Sequence, residues 1–394
     1  MPHRIDLANA KGRYQYELLE RVIPFWMRNS VDAQHGGFFN CLDRDGTVYD
    51  TTKYVWLQGR QVWMLAKLYR TIDAKTEWIE AAENGLDFLR THALRDDGRV
   101  YFALTDDGKP LKLQRKIFSE CFLVMALAEM SRALGRDELM HEAESLFERV
   151  WTWSFDLTQV GRPALSGQPA AQDLAVPMIL LNLIEELVGD DAERLVAYQN
   201  RIDDCLRRML LHVKPDQQRV YETVAPDGSL LDGSAGRLLN PGHAIEAGWF
   251  VQHWAQRLGR PALSETARDI VRWSHDTGWD STYEGLYYFL DAGGFSPTQL
   301  EWSMKLWWPH CEALYGHLLN YHLFREEQDY LRFQQIDEYI FNHFADPVHG
   351  EWYGYLDRQG IPTHTFKGGP YKGCFHVPRS LWLCVNLLDQ MELG

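Results

Sequence analysis

Apolar side chains recur every three to four positions along most of this chain, the period of a helix with one buried face. The pattern predicts helices over 9–26, 55–70, 78–91, 117–134, 138–151, 175–187, 192–212, 245–258, 262–277, 302–324, 330–344 and 379–391. Between helices a second rhythm returns, a short aromatic strand-like segment followed by a turn with Asp or Gly. It is read at Phe38-Phe39 before Asp45-Gly46, at Tyr101-Phe102 before Asp107-Gly108 and at Tyr221 before Asp227-Gly228. It returns at Tyr287-Tyr288-Phe289 before Gly293 and at Trp352-Tyr353 before Gly360. The interval is about 65 residues, with one double interval whose degenerate copy is assigned to the 161–171 loop. Six units of two helices give about twelve helices. Six helical hairpins in one chain predict an all-α, single-domain (α/α)6 barrel over 1–394, its inner helices lining a central pocket and short β-hairpins at one rim. An open solenoid is the alternative; the long hairpins favour closure. No Pro-, Gly- or Ser-rich linker and no low-complexity tract divides the chain.

Three histidines follow the same interval: His243, His310 and His376 each come after a hairpin, near the start of an inner helix. Equivalent positions in a ring are expected to face one pocket at the same depth. In Asn240-Pro241-Gly242-His243, Asn240 caps the helix and Pro241 suits its first turn. Glu246, three residues on, shares the His243 face. The partial positive charge at a helix start disfavours imidazolium. A neutral His243 is therefore expected, its tautomer fixed by a nearby carboxylate, able to take a proton. Gly368 to Arg379 repeats the setting around His376. The competing reading is a histidine that only satisfies its neighbours. The shared spacing favours function for His243 and His376 and leaves His310 open.

Charge narrows the partners. A formal charge of −15 argues against nucleic acid and anionic membranes and suits a small neutral ligand. With 15 Trp, 18 Tyr and 18 Phe, aromatic faces are plentiful both for a core and for a sugar cleft. The six cysteines are scattered with no Cys-x-x-Cys, which predicts reduced thiols. The start of the chain has no apolar signal-peptide region and no run is long enough to span a bilayer, so a cytoplasmic location is expected. No phosphate-cradling loop, His-Glu-x-x-His or nucleophile elbow occurs. The three histidines are not at chelate spacing, and no metal is expected.

Pocket histidines with Arg60, Glu246, Glu301 and Lys305 suit proton transfer beside a carbonyl, a base removing the proton and a cation holding the enediolate oxygen. Two bases on opposite faces of the carbon would return the proton to the other face, which is epimerisation without a cofactor. Glu301 and Lys305, four apart, read either as part of that site or as a surface helix pair. Trp249, Trp302, Trp307, Trp308 and Tyr371 lie beside these candidates in sequence, as sugar contacts or as core.

Four stretches carry a family resemblance: Leu57-Gln58-Gly59-Arg60-Gln61-Val62-Trp63; Asn240 to His243 with Glu246; Leu300-Glu301-Trp302 with Lys305 to His310; and Lys372 to Arg379. Together they resemble the N-acylglucosamine 2-epimerase (renin-binding protein) family over nearly the whole chain. The resemblance implies an (α/α)6 barrel, a homodimer and interconversion of N-acetylglucosamine and N-acetylmannosamine with no required cofactor. It makes His243 and His376 the two acid/base groups, sets Arg60 near the substrate carbonyl and Glu246 beside the first histidine. It places Tyr371 where cellobiose 2-epimerases carry a stacking Trp. By their position among these motifs, Trp249, Glu301, Trp302, Lys305, Trp307, Trp308, His310, Lys372 and Arg379 complete the substrate-binding candidates. Those relatives also place a histidine near Leu174, which this chain lacks. Many acylglucosamine epimerases are activated by ATP without consuming it, and the loop associated with that activation is basic and glycine-rich. The matching 154–167 segment has one Arg and no Lys, which argues against that activator. Other readings are an epimerase or aldose–ketose isomerase for an unacylated sugar such as mannose or glucose, a glycoside hydrolase using Glu246 and Glu301 as paired carboxylates, and a non-catalytic binder.

Overall fold

A computed structural model describes residues 7–393. The first outer segment is α1 (Leu7–Tyr16), a π-helical turn (Glu17–Val22) and α2 (Ile23–Asn29). Then come α3 (Val55–Thr71), α4 (Thr76–His92), α5 (Phe118–Leu134), α6 (Asp137–Phe155), α7 (Ala175–Val188) and α8 (Ala192–Leu210). A single turn, α9 (Gly233–Gly236), precedes α10 (Pro241–Arg257), α11 (Pro261–Gly278), α12 (Trp307–Phe324), α13 (Glu327–His343) and α14 (His376–Leu393). Helices α3, α5, α7, α10, α12 and α14 form the inner ring of an (α/α)6 barrel, each packed on an outer helix. Inner helices are enclosed on both sides, so α5 and α12 are buried almost all round. The outer helices α8 and α11 bury one stripe and expose the other.

The first outer segment packs on the last inner helix, so the two ends of the described chain close the ring. Trp63 of α3 meets Trp382 of α14 edge-on at 6.3 Å, and the Trp382 indole donates to Thr71. Lys11 reaches Glu392 at 2.7 Å, and the Trp352 indole donates to Glu17 at 2.9 Å. Among the described residues no helix is long and apolar enough to cross a membrane. The signal-peptide reading falls partly on residues 1–6, outside the described residues.

The rim differs from a set of independent hairpins. Residues 41–42 pair with 48–50, and 213–214 with 219–220, inside their own units. Other strands join consecutive units: 53–54 with 103–104, 172–173 with 223–224, 238–239 with 290–291, and 305–306 with 355–356. The degenerate third copy is therefore an edge partner for the fourth. Buried cations anchor this rim. Lys53 bonds Asp32 at 2.7 Å, Lys305 bonds Asp280 at 3.2 Å and Lys367 bonds Asp346 at 3.0 Å. Each aspartate also accepts backbone N–H groups of the turn that follows it. Isolated buried charges would cost several kcal/mol each, so pairing is obligatory.

The expected helix over 302–324 starts late. Residues 301–303 form a turn, Lys305–Leu306 is a strand, and α12 begins at Trp307. Glu301 and Lys305 are therefore not an i,i+4 pair.

His310 does not face the pocket beside the other two histidines. Its Nδ1 donates to Leu306 O at 2.6 Å and its Nε2 accepts from Leu286 N at 2.9 Å, with Tyr339 stacked on the ring. Burial pushes its pKa down to about 3. His275 and His317, 3.0 Å apart, are also buried and held below the usual range, by burial first. In the unfolded chain these groups titrate near 6.5. The unfolded state then binds protons that the folded state refuses. Stability is full above about pH 6.5 and falls as pH drops below it. The thermal midpoint should hold between pH 8 and 7 and drop progressively from pH 6.5 to 5. A His275→Gln/His317→Gln variant should show a shallower fall, measured by scanning calorimetry.

Candidate active site

The candidate residues gather near the starts of α3, α10, α12 and α14, on the rim side. Asn240 caps α10 through His243 N at 3.2 Å, and Pro241 occupies the first turn. A Cβ at Gly242 would stand 2.6 Å from the Trp308 ring, so glycine lets that indole lie against the helix start. Trp308 thereby sits between the two histidines: its ring centroid is 5.2 Å from His243 and 5.9 Å from His376.

Each histidine is backed by a carboxylate. His243 Nδ1 lies 2.9 Å from Glu222 Oε1, and His376 Nδ1 lies 2.7 Å from Glu312 Oε1. Both Nε2 atoms have no protein partner among the described residues, so each remains available to a ligand. The expected partner of His243 was Glu246. Instead Glu246 accepts from Arg379 Nη2 at 2.6 Å, and the same nitrogen donates to Glu312 at 2.7 Å.

The electrostatics of the pair are opposite. Burial works against the His243 imidazolium, but Glu222, with Glu246 and Glu312 beyond it, outweighs burial and raises the pKa. A neutral His243, expected from the helix start, is thus overruled by a carboxylate in contact. Burial, then Arg379 and Arg60, hold His376 well below the usual range. Arg379 is raised because Glu312 and Glu246 outweigh its burial. Arg60 is enclosed by Phe122 at 4.0 Å and by Trp56 and Phe375 at 4.9 Å, and its Nε has no partner. Burial and Arg379 push its pKa down to about 9, so the guanidinium remains charged at neutral pH.

Glu246, Glu312 and His376 offer ligand atoms within 4.8 Å of one another. The guanidinium of Arg379 already bonds both carboxylates and stands 3.4 Å from His376 Nδ1, so it is the cation of that cluster.

Several substrate-binding candidates lie elsewhere. Lys305 is buried on Asp280 and Gly285 O, and Lys372 on Glu351 at 2.7 Å and Lys367 O; both serve the rim. Trp249 lies behind the site, its indole donating to Glu312 at 2.9 Å. Trp307 is buried between Tyr355 and His376. Trp302 stacks on Tyr287 at the rim beside the exposed Glu301, and Tyr371, 61% exposed, stands edge-on to Trp56. The sequence reading missed Glu222 and Glu312. Glu312 was findable: the interval relating the three histidines also relates Glu246, Glu312 and Arg379. Glu222 had no periodic signal.

A family described as N-acylglucosamine 2-epimerase matches residues 37–377. The N-acylglucosamine 2-epimerase of Homo sapiens is 47% identical, covering 99% of this chain and 94% of that protein. Cellobiose 2-epimerase of Bacteroides fragilis is 26% identical over 96% of this chain and 99% of that protein. The solved cellobiose 2-epimerase from Bacillus thermoamylovorans superposes with a TM-score of 0.82 at 20% identity, covering 97% of this chain and 100% of that one, a likeness of fold.

Arg379→Met leaves two buried carboxylates without their cation. It should cost about 3–5 kcal/mol in urea unfolding, and adding Glu312→Gln should recover part of it. A cost below about 1 kcal/mol would show that the carboxylates do not rely on the guanidinium.

Proposed function

The chain belongs to the N-acylglucosamine 2-epimerase family, and from that membership we propose that it interconverts N-acetylglucosamine and N-acetylmannosamine by moving one proton at C2 of the open-chain sugar. The observation that carries this reading is the pair of free Nε2 atoms flanking Trp308, each histidine backed by its own carboxylate.

In one direction neutral His376 takes the C2 proton through Nε2. The C–H electrons form the C1=C2 bond and the charge moves to the C1 oxygen, facing the Arg60 guanidinium. Protonated His243 then donates to C2 from the other face and the carbonyl re-forms. The reverse direction uses the tautomer with the proton on His376. Both tautomers hold one proton in the pair, so both directions share one pH profile. Activity is lost on the acid side when His376 gains a second proton and on the alkaline side when His243 loses its own. With His376 held low and His243 raised, the plateau spans neutral pH.

An aldose–ketose isomerase needs one base that returns the proton to C1; two backed bases favour epimerisation. A hydrolase needs carboxylates flanking the sugar. Glu246 and Glu312 instead have a guanidinium between them, and Glu301 is exposed on a rim turn. The chemistry runs on side chains alone, so neither metal nor nucleotide is part of the reading. The six free buried thiols favour the cytoplasm, and the family resemblance favours a homodimer, which light scattering checks.

Incubation with N-acetylmannosamine in heavy water, followed by proton NMR, tests the route. Product of the first turnovers should carry deuterium at C2 while unreacted substrate is labelled more slowly. Product that keeps its original C2 hydrogen would sink the two-base mechanism. His243→Asn and His376→Asn should each lower turnover about 10²–10⁴-fold with the fold intact. Arg60→Lys should depress kcat more than it raises KM, because the fixed guanidinium meets charge that develops in the transition state.

A further inference from the structure

The two histidine–carboxylate pairs look alike and differ in one respect. Glu312 shares its charge with Arg379 and accepts the Trp249 indole as well. Glu222 has no Lys or Arg at ion-pair distance among the described residues; His243 is its one ion-pair partner. Its second oxygen, Oε2, is buried and has no hydrogen-bond partner. A buried carboxylate oxygen left unsatisfied is costly, and a purely structural acceptor for an imidazole N–H would be served as well by an amide. The placement of Glu222 is nonetheless rigid. Its N–H donates to Leu238 O at 3.1 Å and its carbonyl accepts from Leu174 N at 2.9 Å, so the strands of two neighbouring units pin its backbone. The uncompensated charge is therefore held in place.

We propose that Glu222 is a positioning residue that fixes the His243 ring and keeps the single proton of the histidine pair on His243 in the resting enzyme. The inference rests on the epimerase reading above and adds to it the group that decides where the proton waits. On its own helix His243 has Glu246, from α12 it meets Glu312, and from α14 it faces His376. Glu246 and Glu312 both pair with Arg379, whereas Glu222 has no Lys or Arg partner among the described residues. Around Glu222 itself stand His212 and Tyr288, with Asp173 on the adjoining strand near His212. Burial keeps His212 neutral at pH 7, so none of these supplies a compensating cation. The 29% exposure of the His243 side chain lets its proton equilibrate with water, whereas His376 is buried.

The test is Glu222→Gln, which keeps size and an acceptor oxygen and removes charge. Near neutral pH, kcat/KM should fall about 10–100-fold. The alkaline limb of its pH profile should move to lower pH while the acid limb, set by His376, stays. Histidine ¹⁵N NMR of the unliganded protein, with His243 assigned by its loss in His243→Asn, should show that ring titrating at lower pH than in the wild type. Glu222→Asp, which retains charge, should return the limb toward its original position. An unmoved limb and an unmoved His243 titration in folded Glu222→Gln would overturn the proposal. A uniform loss at every pH, with Asp no better than Gln, would also overturn it. Should Glu222→Gln not fold, the wild-type titration decides: a His243 ring that titrates above the ordinary value of about 6.5 supports the role, and one that titrates at or below it ends the proposal. The ring titration needs no substrate. Inactivity toward amino sugars would therefore defeat the epimerase reading alone, and an unchanged titration in an active epimerase would defeat Glu222 alone.

Discussion

A cation cannot be buried alone, and this constraint organises the molecule. The interior of the rim holds Lys53, Lys305 and Lys367, each closed off from solvent and each paired with an aspartate that also holds the following turn. Removing any partner leaves an uncompensated charge in a low-dielectric setting. The pairs therefore act as fixed pins between the outer-helix ends and the strands that lead into the inner helices. Where α12 and α14 begin, and so where Trp308 and His376 stand, follows from those pins. The far end obeys the same rule. There Lys67 and Arg70 share Glu129, each at 2.7 Å, beside a cavity of about 260 Å³, close to inner-helix C-termini that favour positive charge.

At the site anions outnumber the cation they share. Equivalent positions on three consecutive inner helices carry Glu246, Glu312 and Arg379, two anions and one cation around one point. The guanidinium satisfies both carboxylates and, with Arg60, keeps His376 free of a proton. Glu222 enters from the bend between residues 219–220 and 223–224, outside that triad, and His243 is the group whose protonated form it favours. Two residues of one type thus differ in resting protonation through burial and their charged neighbours together, as the proposed two-base transfer requires.

Much of this was legible in the chain. Helical periodicity and the repeat interval gave the barrel, because both are properties of single elements and their spacing. Asn240, Pro241, Gly242 and His243 announced a capped helix start. What failed had physical causes. His310 shares the histidine interval, but its α12 strand lead-in brings Leu286 N and Leu306 O to its ring, and hydrogen bonds to both nitrogens leave nothing for a ligand. Lys305 read as a helix residue because Trp302 and Leu306 continue an apolar pattern; strand pairing with residues 355–356 claims it instead. Glu222 was invisible because its role depends on pairing across units, which sequence spacing does not report.

Ring closure by the first and last described helices also has a history in time. Contacts such as Lys11 with Glu392 join positions 381 residues apart. Such a contact cannot form while the chain is still being made, and closing so long a loop is slow. On the ribosome, α3, α5, α7, α10 and α12 emerge first and wait as an open arc, its apolar inner faces uncovered until α14 arrives. The same helix delivers His376 and Arg379. Completion of the hydrophobic seal and assembly of the proposed proton-transfer pair are therefore one event, and the nascent arc, wet on its inner side, is the species that a folding helper would have to shelter.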